Sequence, residues 1–245
     1  MAALKKSLGG INLLYLSLLL GLTIIVFTTK LTEKLKLSSV WLLVGQISAS
    51  LVIILLGNLE VSYITHFNQI ELGYLTIPFA LLFLVGFTNV LNTEKQQKPI
   101  ILLIPCISLV CFSISALIMG YSFVSIIGMC AALTIMLVLL LGKGNMGRTF
   151  TTSIGFVIAV LSLALLQHTF VMIYIPIFTL ILPLALYLIL QNKLPSVQSI
   201  IISSLVALLF SLIMFVISIN IVWYLVVGFT IILAISQLSS KYRFI

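Results

Sequence analysis

The sequence predicts an all-α integral membrane protein with about nine membrane-spanning helices, folded as a single membrane domain over residues 1–245. Hydrophobic residues make up 62% of the chain and charged residues only 7%, whereas a soluble domain carries roughly 25% charged residues. The apolar residues fall in runs of about 17 to 22, close to the roughly 20 helical residues that span a bilayer. Lipid offers the backbone no hydrogen-bond partner, so each run must be helical, and the runs are too long and unbroken for barrel strands.

The first run begins after Lys5 and Lys6 and resembles a signal peptide. It is long and no small-residue cleavage site follows it, so we interpret it as the first span. The predicted spans, in chain order, are residues 9–29, 39–57, 73–92, 100–119, 121–142, 151–167, 170–190, 199–219 and 221–237. Four prolines, Pro78, Pro105, Pro176 and Pro183, lie inside spans, where kinks are expected and neighbouring helices can satisfy the freed carbonyls.

The basic residues predict the orientation of the bundle. The connections after odd-numbered spans, together with the C-terminus, contain Lys30, Lys34, Lys36, Lys95, Lys98, Lys143, Arg148, Lys193, Lys241 and Arg243, which are ten of the twelve Lys and Arg residues. The even-numbered connections contain none, so the positive-inside preference places the C-terminus in the cytoplasm and the N-terminus outside. Lys5 and Lys6 contradict this orientation, either because so short a tail can cross or because the first span is miscounted. The longest outer connection, residues 58–72, is predicted to be a surface loop.

Several functional classes fit the composition poorly. The net charge is +8, but the basic residues are scattered over short connections and form no patch for nucleic acid. Cys106, Cys111 and Cys130 lie inside apolar runs without metal-ligand spacing, so we expect packing roles for them. The chain contains no Asp, and its acids are Glu33, Glu60, Glu71 and Glu94. No charged residue lies at the middle of a span, which argues against ion-coupled transport.

Four segments, read in order, resemble a known enzyme family. Thr32 and Glu33 precede the stretch KLKLSSVWLLVGQ, and residues 88–92 read TNVLN and are followed by TEKQQKP. Residues 143–163 read KGNMGRTFTTSIGFVIAVLSL, and residues 175–178 read IPIF. These segments resemble the polyprenyl-phosphate N-acetylhexosamine-1-phosphate transferases, the family of MraY, WecA and TagO, over roughly residues 10–220. The resemblance implies an MraY/WecA-like helix bundle whose first two helices, which would precede Gly9, are missing.

The resemblance also implies Mg²⁺-dependent transfer of a sugar phosphate from a UDP-sugar to undecaprenyl phosphate, with release of UMP. The family's acidic positions fall on Thr32, Glu33, Lys95, Lys98, Arg148 and Thr179. Only Glu33 therefore retains a carboxylate as a metal ligand, and three cations at neighbouring positions would repel Mg²⁺. The positions that remain as candidates for binding substrate or a lipid phosphate are Asn89, Asn92, Lys143 and Arg148. The family's long His-rich loop is replaced by the seven residues 192–198, which contain no His.

The favoured hypothesis, which follows from the resemblance, is a catalytically degenerate homologue of these transferases in the bacterial cytoplasmic membrane that needs no cofactor. It would bind a membrane lipid such as undecaprenyl phosphate, or regulate or scaffold an active paralogue in the synthesis of cell-wall polymers such as teichoic acid or of surface polysaccharides. One alternative is an active transferase with an atypical Mg²⁺ site that uses Glu33, Glu94, Asn89, Asn92 and Lys143. Another is a transporter or flippase-like protein. A further alternative is that the Lys and Arg residues have no binding function and only fix the orientation of the bundle in the membrane.

Overall fold

A computed structural model describes residues 2–61, 63–64, 70–91, 99–141, 147–168 and 174–216, together with the single residues 224, 228 and 231. This part of the chain is almost entirely helical. Its paired strands are two residues long each, β1 (Tyr63–Ile64) and β2 (Ile70–Glu71), and run antiparallel with Tyr63 opposite Glu71. The all-helical class predicted from the apolar runs is therefore confirmed.

The helices follow one another with short connections. In chain order they are α1 (Ala2–Lys34), α2 (Ser39–Gly57), α3 (Thr76–Thr88) after a 3-10 turn at Gly73–Leu75, α4 (Leu103–Ile118) after a 3-10 turn at Pro99–Leu102, α5 (Ser122–Leu141), α6 (Arg148–His168), α7 (Tyr174–Pro176), a π-helical turn (Ile177–Ile181), α8 (Leu182–Leu190) and α9 (Ser196–Val216). Within the described residues, six helices are long and apolar enough to cross a membrane, and two apolar helices are shorter, at Gly73–Thr88 and Ile177–Leu190.

Each of the first eight predicted spans coincides with one of these apolar helices, although the structure moves several boundaries. The first helix begins at Ala2 and extends over 33 residues. Run length placed its start at residue 9 because the preceding segment is polar, but that segment is also helical. Arg148, predicted to lie in a connection, is instead the first residue of α6. A long basic side chain at a helix end can reach the interface from inside the helix, so run length underestimates such ends. The ninth predicted span, 221–237, lies almost wholly outside the described residues.

The outer surface of the bundle suits a lipid environment. Only 28% of the most apolar stretch of α5 is buried, and exposed residues such as Leu137 and Leu140 face outward. A continuous apolar surface of this kind is rare on soluble monomers. Near opposite helix ends Trp41 is 58% exposed and Tyr74 is fully exposed, which is typical of aromatic residues at the two membrane interfaces.

Helix α6 forms the centre of the bundle, since 83% of its most apolar stretch is buried and it packs against α1, α3 and α5. Small residues allow these close approaches, as is common between membrane helices. A Cβ atom on Gly21 of α1 would lie 2.8 Å from the Phe156 ring of α6. A Cβ atom on Gly155 of α6 would collide with the carbonyl oxygen of Thr88 at the end of α3. Glycine at position 155 therefore sets how deeply α3 sits against α6.

The contacts between helices bring one set of helix ends together. Gln46 in the first half of α2 contacts Asn89 just after α3, while Thr88 meets Gly155 in the first half of α6. At the other end, Gln167 donates from α6 to the carbonyl of Asn58 after α2. The end that contains the exposed residues Lys30, Lys34, Lys36, Arg148 and Lys193 is called the basic end below. The opposite end carries Glu60, which is partly buried. Which membrane face the basic end occupies stays a prediction.

Candidate functional site

A reciprocal amide pair joins two helices just inside the basic end. The Gln46 side chain donates to Asn89 Oδ1 at 2.9 Å, and the Asn89 amide donates back to Gln46 Oε1 at 2.8 Å. The Asn89 amide also donates to the carbonyl of Val85 at 2.9 Å. Gln46 is 1% exposed and lies seven residues after the start of α2, about 10 Å below the helix end. The pair therefore fastens α2 to α3 within the apolar layer, and the Asn89 amide group is engaged with protein partners.

Thr32 and Glu33 lie at the end of α1, and their side chains differ in environment. Thr32 is 8% exposed, and its hydroxyl donates to the carbonyl of Thr28 at 2.7 Å. Glu33 is exposed and makes no ion pair with any described residue. The fold thus turns the threonine hydroxyl toward its own helix and the glutamate toward the surface.

Arg148 is exposed at the first turn of α6. The first N–H groups of a helix have no partner inside it, and the positive end of the helix dipole lies there. The Thr151 and Thr152 hydroxyls donate to the Arg148 carbonyl at 3.0 and 2.8 Å. The N–H groups of Phe150 and Thr151 donate to the Gly147 carbonyl at 3.1 and 3.5 Å. A guanidinium beside such a terminus favours an anion such as a phosphate.

The depth of these groups separates them into two layers. Gly155 lies seven residues after Arg148 and is level with Thr88, so Arg148 projects about 10 Å beyond the end of α3. Arg148 therefore lies at the outer limit of the basic end, while the amide pair of Gln46 and Asn89 lies about 10 Å deeper in the bundle.

Thr179 lies apart from this site. It occupies the π-helical turn, is fully buried, donates to the carbonyl of Ile175 at 2.7 Å and shares a 2.8 Å hydrogen bond with Ser108 of α4. Ser108 lies nine residues after Pro99, about 14 Å inside the basic end. The structure therefore does not bring Thr179 to Arg148, and its hydroxyl pair joins the π turn to α4.

Other predicted positions are not described. Asn92, Glu94, Lys95, Lys98 and Lys143 lie outside the described residues, so their placement stays a prediction. Within the described ranges no three His, Cys, Asp or Glu side chains come together as a metal site. Cys106, Cys111 and Cys130 are free thiols, the first two buried and the third exposed.

Sequence reasoning placed Asn89 in the binding set but did not identify Gln46 as its partner. Both lie in segments that resemble the transferase motifs, yet a pattern along the chain does not show which side chains face each other across two helices. The pairing of Thr179 with Ser108 was missed for the same reason. A weak signal was present, since Pro176 and Pro183 flank Thr179 closely enough to disturb a regular helix.

No protein-family model matches this chain, and no curated protein is significantly similar to it. Any functional interpretation therefore depends on the residues of the chain itself.

Proposed function

We propose that this chain is a non-catalytic membrane protein that binds the phosphate group of an anionic membrane lipid at its basic end. The single observation that supports the proposal most strongly is the exposed Arg148 at the first turn of α6. The positive side chain and the positive end of the helix dipole act there in the same direction. We further propose that the chain is a degenerate relative of the polyprenyl-phosphate sugar-phosphate transferases, in a bacterial cytoplasmic membrane, with undecaprenyl phosphate as the lipid.

Electrostatics favours direct neutralisation of the phosphate over a metal-bridged arrangement. Mg²⁺ prefers carboxylate and phosphate oxygens, and a productive site holds it with protein acids as well as substrate. At the basic end the described acid is Glu33, which is exposed and close in sequence to Lys30, Lys34 and Lys36. One surface carboxylate among several ammonium groups is a poor site for a divalent cation. The same cations attract a phosphate without any metal.

Two contacts between helices support a structural role for the region around Arg148. The pairing of Gln46 with Asn89 and the contact of Gly155 with Thr88 fasten α2, α3 and α6 at fixed heights. Rigid helices hold a binding group more reproducibly than loops do. A bundle of this kind suits a lipid-binding scaffold or regulator of an active paralogue in the synthesis of cell-wall polymers or surface polysaccharides.

The test compares two cation variants of the purified, membrane-reconstituted protein. Arg148→Gln removes the guanidinium of the proposed site, whereas Lys193→Gln removes an exposed cation of the same end from the connection between α8 and α9. We expect Arg148→Gln to weaken binding of undecaprenyl phosphate about tenfold, the size of one lost charge-assisted hydrogen bond. Lys193→Gln should weaken it less than about twofold, as an exposed charge in the screening solvent. Equal losses in both variants would show that the cations act only through net charge and would contradict the proposal.

A UMP-release assay separates this proposal from the active transferase. Wild-type protein with UDP-N-acetylglucosamine, undecaprenyl phosphate and Mg²⁺ is expected to release no UMP above a protein-free control. Turnover that disappears in Glu33→Gln would instead assign the chain to the active enzymes with an unusual metal site. Net movement of the lipid between leaflets of proteoliposomes would favour the flippase-like alternative.

A further inference from the structure

The turn between α1 and α2 holds a lysine in a backbone conformation that favours glycine. Lys36 has a φ of 50°. The N–H groups of Lys36 and Leu37 donate to the carbonyls of Glu33 and Thr32 at 3.4 and 3.0 Å, which is the Schellman arrangement that ends many helices. Its left-handed position is usually glycine, because a Cβ atom is unfavourable there. The other described residues with positive φ belong to types that tolerate this conformation, namely Asn58, Gly73 and Gly120. Lysine at position 36 therefore costs stability, and such a cost points to a use for its side chain.

Two more lysines lie on the last turns of α1. Lys30 and Lys34 are exposed and four residues apart, so they share one face of the helix and repel each other. With Lys36, three ammonium groups stand against the single carboxylate of Glu33, which leaves an excess of positive charge. The negative end of the helix dipole attracts cations here, but the carbonyls of Thr32 and Glu33 already accept hydrogen bonds within the turn. The ammonium groups thus remain available to an external anion.

Trp41 of α2 lies at the same height as these lysines. A Cβ atom on Gly45 would collide with the Thr28 side chain, so these two residues are level with each other. The helices run antiparallel, since a short connection joins them and they pack together. Trp41 lies one turn before Gly45 and therefore one turn beyond the level of Thr28, between the heights of Lys30 and Lys34. Its side chain is exposed, so the indole ring and the ammonium groups occupy one level of the membrane.

Exposed apolar side chains alternate with the lysines along this hairpin. Leu31, Leu35 and Val40 are all exposed. The boundary between lipid headgroups and acyl chains accepts apolar groups, indole rings and ammonium groups together. A soluble anion offers no apolar partner to Leu35 or Trp41. A phospholipid with a negatively charged headgroup offers its phosphate to the lysines and its acyl chain to the apolar groups.

We propose that the hairpin of Lys30, Lys34, Lys36 and Trp41 binds an anionic phospholipid of the bilayer, such as phosphatidylglycerol. The ammonium groups neutralise the phosphate, while the indole ring and Leu35 contact the apolar part of the lipid. This role explains why a lysine occupies the left-handed position of the turn. The site is formed by α1 and α2 without Arg148, so it goes beyond the polyprenyl-phosphate site proposed above and does not depend on it.

Quenching of Trp41 fluorescence by brominated lipids tests the proposal in the full-length protein. The chain contains two tryptophans, so Trp223→Phe leaves Trp41 as the reporter. This parent protein is reconstituted into bilayers of phosphatidylcholine, in which brominated phosphatidylglycerol or brominated phosphatidylcholine replaces part of the lipid. The two quenching curves give the relative affinity of the anionic and the neutral lipid beside Trp41. Lysines that only fix the orientation of the bundle predict equal affinities.

We expect phosphatidylglycerol to bind beside Trp41 at least about fivefold more tightly than phosphatidylcholine, roughly the contribution of one lysine near an anionic surface. Lys30→Gln combined with Lys34→Gln should reduce this preference to less than about twofold. Lys193→Gln removes an exposed cation of the same end from another connection and should leave the preference unchanged. Equal affinities in the parent protein, or an equal loss in Lys193→Gln, would overturn the proposal.

Lys36→Gly separates lipid binding from folding. Glycine removes the unfavourable Cβ atom at the left-handed position, so this variant should be at least as stable as the parent protein in a sodium dodecyl sulfate titration. Its preference for phosphatidylglycerol should nevertheless fall at least about twofold. A preference that Lys36→Gly leaves intact would contradict the proposed role of this lysine. A loss of stability in the same variant would assign Lys36 to the fold and would equally contradict that role.

Discussion

Removal of the amide pair between α2 and α3 should loosen the helices that hold the basic end in place. Gln46→Leu keeps a side chain of similar size but eliminates both hydrogen bonds to Asn89, which measure 2.9 and 2.8 Å. Hydrogen bonds between membrane helices contribute about 0.6 kcal/mol each on average and about 1.7 kcal/mol at most. Two of them predict a loss of about 1–2 kcal/mol in the free energy of unfolding. That loss corresponds to a roughly fivefold to thirtyfold shift in the unfolding equilibrium.

A double-mutant cycle of Gln46→Leu with Asn89→Leu isolates the pair from the other contacts of Asn89. The two single variants should be less than additive, with a coupling of about 1 kcal/mol, because each one already removes the same two bonds. Unfolding by sodium dodecyl sulfate titration of the reconstituted protein measures all four free energies. Ser48→Ala is the control, since the Ser48 hydroxyl is exposed and donates only to the Val44 carbonyl of its own helix. Additive single losses would refute the pairing of Gln46 with Asn89.

Three further predictions test the packing and the orientation. Gly155→Ala should destabilise the protein by about 1–3 kcal/mol because its Cβ collides with the Thr88 backbone. Gly86→Ala, with nothing within 4 Å of the added atom, should be neutral or slightly stabilising in the same titration. Equal effects of the two substitutions would contradict the close approach of α3 to α6. Thr179→Val should lower the free energy of unfolding by about 1 kcal/mol because the hydrogen bond to Ser108 is lost. Thr134→Val should change it very little, because the exposed Thr134 hydroxyl donates to the Cys130 carbonyl of its own helix. A harmless Thr179→Val would argue against the hydrogen bond between Thr179 and Ser108. In intact cells an impermeant maleimide should label Tyr74→Cys but reach Lys36→Cys only after permeabilisation, and the reverse pattern would invert the predicted orientation.

The apolar runs predicted most of the fold because the bilayer imposes one length on every span. Residues 39–57, read from hydropathy alone, are the residues of α2. The start of α1 was placed too late because the helix continues through a polar segment that run length does not count. The interruption at Ile177–Ile181 was expected only as a kink. The positions of Pro176 and Pro183 in the sequence indicate a disturbed helix there but do not distinguish a π turn from a kink.

The candidate site was predictable only in part. The charge pattern placed Arg148 in the connection before the sixth span, whereas in the structure it is the first residue of α6 and is exposed. The motif comparison made Asn89 a candidate for binding substrate or a lipid phosphate, and the structure adds that its amide bonds with Gln46 and Val85. The pairing depends on how α2 and α3 face each other, and Gln46 and Asn89 are 43 residues apart in the chain. Sequence order supplies the residue types, and the packing of α2, α3 and α6 decides which of them remain accessible.

The metal dependence of lipid-phosphate binding tests the central claim most directly. Affinity of the wild-type protein for undecaprenyl phosphate is measured in nanodiscs of neutral lipid, once in excess Mg²⁺ and once in EDTA. Binding by basic side chains alone predicts dissociation constants that agree within about twofold, with Mg²⁺ weakening the complex slightly by screening. Binding that appears only with Mg²⁺, and that Glu33→Gln abolishes, would contradict the account.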